Sequence, residues 1–357
     1  AYDGTTTVSD ATLSGVVGSE TVSVTGSGAI TDKNVGTGKT ATGLSLTGAD
    51  ALNYTLGTVT YAITAKELSA TASRAYDGTT TASGLTLSGI VGSETVSLTG
   101  TGVVASQNIG TGKTVTGVSL TGADVSNYTL GAVTYDITAK ELTATASRVY
   151  DGTATVSGLS LSGIVGSETV SLTGTGAIAD GNAATGKTVT GVSLAGADMS
   201  NYTLGAVTYD ITAKELTGTG TRIYDGTTSV SGATLSGIVG SETVLVTGTG
   251  TLSDKNVGTG KTASGFTLTG SDALNYMLGA VTYDITAKEL TGTGSRIYDG
   301  TAGVSGATLS GVAGGDAVSV TGAGTLSDKN VGTGKTVSGF TLAGADALNL
   351  SLIHISQ

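Results

Sequence analysis

The sequence predicts an all-β protein, a tandem array of five small antiparallel β-sandwich modules in an elongated arrangement. Three observations support this prediction. A Tyr-Asp-Gly triplet recurs every 74 residues, starting at Tyr2, Tyr76, Tyr150, Tyr224 and Tyr298. The 357 residues are rich in threonine, serine and valine and include 59 glycines but no proline, a composition typical of short strands and turns. Many short runs also alternate apolar and hydroxyl residues, as half-buried strands do.

The long fixed period indicates repeated modules, not one large core. We place the modules at residues 1–65, 66–139, 140–213, 214–287 and 288–357. The first module lacks the strand that opens the others, and the last departs from the repeat pattern at Leu350. We therefore expect a fragment of a longer protein. We interpret residues 350–357 as an aberrant tail of foreign sequence, with natural divergence as the alternative.

The strands of one module can be followed in residues 140–213. Residues 140–146 alternate as a strand should, and Asp151-Gly152 predicts a turn. Runs at 159–163, 169–174 and 188–194 predict further strands. Residues 201–212 close the module, with Val207, Tyr209 and Ile211 on one face. About six or seven short strands with regular turn signals favour an immunoglobulin-like sandwich.

Residues 213–216 join two modules without a loop, which favours stiff junctions. A parallel β-solenoid is the rival fold. Its rungs would give a sub-period of roughly 20 residues, and none is evident.

Composition and charge exclude several classes of function. The chain has a net charge of −11, which argues against nucleic acid or an anionic membrane as a partner. No stretch approaches the ~20 apolar residues of a membrane-spanning helix. With no cysteine and a single histidine, His354, neither a thiol nucleophile, a Ser-His-Asp triad nor a histidine metal site can be assembled. We expect no enzyme, no cofactor and no catalytic, cofactor-binding or metal-binding residues.

Four segments carry a family resemblance. They are the Tyr-Asp-Gly-Thr opening, residues 32–40 (DKNVGTGKT), residues 48–56 (GADALNYTL) and residues 63–66 (ITAK). Together they resemble the YDG repeat of large bacterial surface and secreted proteins, such as adhesins of the filamentous-haemagglutinin type. The resemblance covers residues 1–349. It departs from the family where alanine replaces a frequent proline at 65, 139, 213 and 287, and where the 32–40 loop changes at 106–108 and 180–182.

This resemblance implies a place outside the cell or on its surface and a stalk or adhesin role. Our leading hypothesis is a structural stalk that holds a binding region away from the cell. The alternative is a set of weak binding modules for a host or surface glycan or protein, acting through avidity. A threonine-rich face acting on ice or carbohydrate is a third. The other expected partners are the neighbouring repeats.

Several motifs have a structural as well as a functional interpretation. Residues 181–188 fit the phosphate-loop pattern, but the other repeats lack its first glycine, so we interpret it as a chance match. Three Asn-Tyr-Thr sequons at Asn53, Asn127 and Asn201 favour structural turns over glycosylation. Lys113, Asn127 and Asp124 are the ingredients of an isopeptide bond, which sequence alone does not bring together.

Two sets of aspartates are candidate calcium ligands, and turn formation is the favoured interpretation for both. The first set belongs to the triplets and the second to the Gly-Ala-Asp segments: Asp3, Asp77, Asp151, Asp225 and Asp299, then Asp50, Asp124 and Asp198.

Overall fold

The computed structural model describes residues 1–356, and every repeat in it is built from β-strands and one 3-10 turn. Repeat one contains β1 Thr7–Val8, β2 Ser23–Thr25, β3 Gly28–Ile30, β4 Gly36–Thr42, β5 Ser45–Thr47, a 3-10 turn Ala51–Asn53 and β6 Val59–Ile63. Repeat two contains β7 Lys66–Ala75, β8 Thr81–Ala82, β9 Thr86–Ser88, β10 Ser97–Val104, β11 Gly110–Thr121, a 3-10 turn Val125–Asn127 and β12 Tyr128–Thr138.

The later repeats follow the same order. Repeat three contains β13 Lys140–Val149, β14 Ser160–Ser162, β15 Ser171–Thr173, β16 Ala184–Thr188, β17 Ser193–Ala195, a 3-10 turn Met199–Asn201 and β18 Tyr202–Thr212. Repeat four contains β19 Lys214–Ile223, β20 Ser229–Val230, β21 Thr234–Ser236, β22 Leu245–Thr247, β23 Gly250–Leu252, β24 Gly258–Ser264, β25 Thr267–Thr269, a 3-10 turn Ala273–Asn275 and β26 Tyr276–Thr286. Repeat five contains β27 Lys288–Thr293, β28 Gly303–Ser305, β29 Thr308–Ser310, β30 Ser319–Thr321, β31 Ala323–Leu326, β32 Val337–Ser338, β33 Thr341–Ala343, a 3-10 turn Ala347–Asn349 and β34 Leu350–Ser356.

The predicted tandem all-β array is therefore confirmed. Across residues 1–356 the only helical segments are these 3-10 turns. The five module boundaries and the elongated arrangement stay predictions.

Repeat two shows the sheet most completely. Its six strands form one curled sheet in the order β8-β10-β11-β12-β7-β9, and repeat four has the same order in β20-β23-β24-β26-β19-β21. Most neighbours are antiparallel, as expected, but β12 and β7 are parallel, with Tyr128 opposite Lys66 and Thr138 opposite Ala75.

The expectation of purely antiparallel pairing was wrong at this central pair. Because the first and last strands of a repeat run in the same direction, the chain enters the repeat at one end and leaves at the other. The last strand of repeat one, β6, can therefore run into β7 after two residues.

The chain forms two compact units. One comprises Ala1–Thr143, Leu161–Thr173 and Ser193–Ala206. The other comprises Ala144–Ser160, Gly174–Val192 and Val207–Gln357. Repeat three thus contributes residues to both units.

The inner face of each sheet supplies the core. In the first unit Val133, Tyr135 and Ile137 alternate along β12 and are at most 6% exposed, against Leu68 and Ala70 of β7, which are fully buried. In the second unit Val207, Tyr209 and Ile211 are buried along β18, so the predicted inward face is confirmed. Alternate burial of this kind fixes the register, because a one-residue slip would turn every apolar side chain outward.

The final strand keeps the architecture of the repeat although its sequence departs from the pattern. β34 pairs in parallel with β27, and Leu350 lies opposite Lys288 as Tyr128 lies opposite Lys66 in repeat two. Leu350 is buried in the position that tyrosine takes in the other repeats. The side chains of residues 354–357, and with them His354, lie outside the described residues.

Candidate functional site: the junction between repeats

The triplet tyrosine joins each repeat to the one that follows. In the first unit, Tyr76 follows β7 and its backbone N–H donates to the carbonyl of Thr138 at 2.8 Å, which anchors it to the end of β12. Its side chain is 1% exposed, and its hydroxyl donates to the carboxylate of Glu168 in repeat three. Tyr76 is therefore held by repeat two and bonded to repeat three.

Glu168 accepts a second hydroxyl, from Tyr202 of its own repeat. The hydroxyl oxygen of Tyr202 in turn accepts the N–H of Val165 at 3.0 Å. The rings of Tyr76 and Tyr202 pack edge to face, with centroids 5.5 Å apart and planes at 78°, a favourable geometry for aromatic pairs. One carboxylate thus links two tyrosines from consecutive repeats.

A buried asparagine completes the junction. Asn201 ends the 3-10 turn of repeat three and is 4% exposed. Its Oδ1 accepts the backbone N–H of Ile109 at 3.1 Å, and its Nδ2 donates to Oδ1 of Asn108 at 3.2 Å. Both partners lie in repeat two, in the loop before β11. The side-chain amide therefore uses its acceptor and one donor across the junction.

The same contacts recur at the other junctions. Within the first unit, repeats one and two use Tyr2, Glu94, Tyr128, Asn127, Val35 and Asn34. Within the second unit, repeats three and four use Tyr150, Glu242, Tyr276, Asn275, Ala183 and Asn182. Repeats four and five use Tyr224, Asp316, Asn349, Val257 and Asn256.

The junctions differ in which residue of the preceding repeat faces the carboxylate. Lys33 forms an ion pair with Glu94. Burial alone would raise the pKa of Glu94, but hydrogen bonds from Lys33, Tyr128 and Tyr2 overcome it and lower the pKa to about 2. In repeat two the equivalent position is Gln107, whose Nε2 lies 3.4 Å from the Tyr76 hydroxyl. In repeat three it is Gly181.

The junction tyrosines resist ionisation. Burial and the hydrogen bond to Glu168 raise the pKa of Tyr76 to about 12. Burial and the bond to Glu242 raise the pKa of Tyr150 in the same way. A tyrosinate next to a carboxylate would repel it, so these contacts require the neutral phenol.

The junction of repeats four and five has different chemistry. The carboxylate is Asp316, fully buried, with Lys255 Nζ at 2.6 Å and the Tyr224 hydroxyl at 3.0 Å from its Oδ1. Asp346 lies 3.1 Å from the same Nζ. Leu350 stands where other repeats have tyrosine and supplies no second hydroxyl, and Asp316 Oδ2 has no hydrogen-bond partner among the residues that the structure describes.

The triplet aspartates form local turns, as predicted, whereas the carboxylates of the Gly-Ala-Asp set bond to the backbone 29 residues earlier, so the turn interpretation was wrong for their side chains. Asp77 Oδ1 accepts the N–H of Thr79 at 2.9 Å, and Gly78 between them has φ +76°, which glycine adopts without strain. Asp124 Oδ2 accepts the N–H of Thr95 at 2.8 Å. In the part of the chain that the structure describes, no three acidic or histidine side chains are grouped as a metal site would need.

Three other sequence candidates can also be placed. The amide of Asn127 bonds to Asn34 and Val35, and Asp124 to the backbone, so the structure does not engage them with Lys113. Lys187, in the segment that matches the phosphate-loop pattern, pairs with Asp180 at 2.7 Å. That segment leads into the strand β16, not into a helix.

The sequon asparagines differ in burial. Asn127 and Asn201 are buried, whereas Asn53 is exposed. The turn interpretation is therefore confirmed at the two buried positions.

Sequence reasoning missed the carboxylates of the junction. Glu94, Glu168 and Glu242 occur in the recurring segment Gly-Ser-Glu-Thr-Val, from which the sequence predicts only a strand. Their fixed place in the period was the available signal.

The fold and these junctions define a tandem all-β repeat protein whose consecutive repeats share a buried tyrosine–carboxylate contact. A family model of the YDG domain matches residues 1–65, 62–136, 135–213, 209–284 and 283–354. Since these matches span almost the whole sequence, the chain belongs to the YDG domain family. No curated protein matches it. Among the described residues, no helix has the length and apolar character needed to cross a membrane.

Proposed function

We propose that the five repeats form a stalk or spacer of a bacterial surface or secreted adhesin and project a binding region from the cell. The observation that carries this proposal is the recurrence of one junction. Tyr76, Glu168 and Asn201 and their equivalents face neighbouring repeats, so these recurring residues serve contacts within the chain. A module built to bind an outside ligand would keep such residues free.

The chemistry of the junction suits a spacer. Each junction buries a tyrosine and an asparagine and satisfies the asparagine with bonds to the previous repeat. Opening it would exchange each of these hydrogen bonds for bonds to water, at a net cost of about 0.5–1.5 kcal/mol for each, and would expose the tyrosine ring to water. Under this proposal repeat number sets the length of the stalk, and the repeats have no catalytic role.

Small-angle scattering tests the proposal. The intact chain is compared with a variant that lacks residues 66–139, which removes one whole repeat in register. Because a ten-residue strand spans roughly 33 Å, we expect the largest dimension to fall by about that amount. An unchanged largest dimension would contradict the stalk.

A second candidate is weak, multivalent glycan binding, and one observation favours it. On the outer face of repeat four Thr234, Thr219, Thr282 and Thr262 lie side by side on four strands. An open depression of about 470 Å³ lies among the first three threonines and Asp284. Adjacent strands place such hydroxyls about 4.8 Å apart, where they could bond to sugar hydroxyls.

A glycan array separates the two functions. The labelled intact chain is applied beside the variant without residues 66–139. The stalk proposal expects no specific signal from either. Avidity would be supported by a specific signal that falls by more than a fifth when one of the five repeats is removed.

A further inference from the structure

The junction of repeats four and five contains a buried carboxylate with an unused oxygen. Asp316 has no exposed side-chain surface, and within the described part of the chain its Oδ2 has no hydrogen-bond partner. A buried acceptor left in this way is costly. The group is also close to an amine, since Lys255 Nζ lies 2.6 Å from Asp316 Oδ1.

A third group is positioned to move protons. Asp346 Oδ1 lies 3.1 Å from Lys255 Nζ, and Asp346 is itself fixed, because its Oδ2 accepts the N–H of Ala317 at 2.9 Å. One amine therefore contacts two carboxylates, of which one is buried and the other is 16% exposed.

We propose that Lys255 and Asp316 condense to an isopeptide bond that ties repeat four to repeat five, with Asp346 as the proton-transfer group. This inference is independent of the stalk and concerns a covalent modification of the chain.

The reaction balances without any co-reactant. One ammonium proton moves from Lys255 to Asp316, which leaves a neutral amine and a neutral acid. Nζ attacks Cγ of Asp316, and the Nζ–Cγ bond forms. Asp346 takes a second proton from the nitrogen and delivers it to the departing oxygen. The Cγ–O bond then breaks, one water leaves, and no atom changes oxidation state.

The surroundings favour this sequence. Tyr224, Leu350 and Ala313 are each at most 8% exposed and belong to the same apolar cluster. The Lys255 nitrogen lies 5.7 Å from the centroid of the Tyr224 ring. An apolar site penalises the separated charges of the ion pair more than the neutral pair. Fixed proximity also makes the attack effectively unimolecular.

The amine of Lys255 starts protonated at neutral pH. Hydrogen bonds to Asp316, Tyr224 and Asp346 raise the pKa of Lys255. Proton transfer within the pair is therefore required before attack, and we expect condensation to be slow compared with folding.

The junction of repeats one and two provides an internal comparison. Lys33 forms an ion pair with Glu94, and Glu94 already accepts the hydroxyls of Tyr2 and Tyr128. Among the described residues Lys33 pairs with no second carboxylate. We expect no cross-link there.

Intact-mass spectrometry of the purified chain tests the proposal. The chain is held at neutral pH until its mass no longer changes. Loss of one water lowers the mass by about 18 Da, and we expect this loss in the native sequence. Fragmentation should yield a branched peptide that contains both Lys255 and Asp316.

Three variants give the controls. Lys255→Arg and Asp346→Asn should show the full mass, whereas Lys33→Arg should keep the loss. The full mass in the native chain would overturn the proposal. So would a water loss that fragmentation places at an Asp-Gly triplet, where succinimide formation removes the same mass. A cross-link that persists in Asp346→Asn would overturn the role given to Asp346.

Discussion

The asparagine of the junction allows the sharpest prediction. Replacing Asn201 by alanine removes the acceptor of the Ile109 N–H and the donor to Asn108, at 3.1 and 3.2 Å. The side chain is 4% exposed, so water does not readily replace it. Leaving such a buried group unpaired costs about 1–3 kcal/mol. We therefore expect the junction of repeats two and three to be weakened by about 2 kcal/mol.

Native-state hydrogen exchange measures this weakening locally. The reporter is the Val165 amide, which bonds to the Tyr202 hydroxyl and not to Asn201. A loss of about 2 kcal/mol corresponds to roughly thirtyfold faster exchange where the exchange rate follows the equilibrium population of the open state. Asn53→Ala is the matched control, because Asn53 occupies the same repeat position but is exposed. Equal exchange at Val165 in the native chain and Asn201→Ala would refute the reasoning.

Three further predictions concern the same contacts. The Glu94 pKa is lowered from 4.5 to about 2, so the stability that its carboxylate gives the junction is present above about pH 4.5 and is lost as the pH falls toward 2. Hydrogen exchange across the junction of repeats one and two should accelerate in that window, and an unchanged rate would count against the ion pair. The Tyr76 pKa is raised to about 12, so the stability that its neutral phenol gives the junction is present below about pH 10 and is lost as the pH rises toward 12. An ultraviolet titration of Tyr76→Phe should show one late-ionising tyrosine fewer than the native chain. Gly78→Ala adds a Cβ 2.9 Å from Val165 Cγ1 at φ +76°, whereas Gly300→Ala adds one at φ +80° with nothing within 4 Å. In both variants the backbone strain costs about 1–2 kcal/mol. Only Gly78→Ala adds the contact with Val165, so it should lower the melting temperature more than Gly300→Ala does. Equal decreases would contradict the contact.

Much of the fold could be predicted from the sequence because its determinants are local. The 74-residue period identifies the repeats, and the alternation at Val207, Tyr209 and Ile211 identifies the buried face of the last strand. The parallel pairing of β7 and β12 could not be predicted in this way. Side chains alternate with a period of two in either direction, so the pattern of one strand does not reveal the direction of its neighbour.

The junction was harder to predict for a related reason. Periodicity shows that every repeat has a tyrosine and a carboxylate, but not that Tyr76 meets Glu168 of the next repeat. Nothing in the sequence marks Glu168 as a residue of the interior, since glutamate is rarely buried. Asn201 was interpreted correctly as structural, although its partners in repeat two were not foreseen.

The most direct test of the central claim is a double-mutant cycle across one junction. Tyr76→Phe, Glu168→Gln and the double variant are compared with the native chain by hydrogen exchange at Val165. If one carboxylate couples two repeats, the free energies lost in the two single variants should sum to about 1 kcal/mol more than the free energy lost in the double variant. Effects that add within about 0.3 kcal/mol would show that the two side chains act independently and would contradict the account.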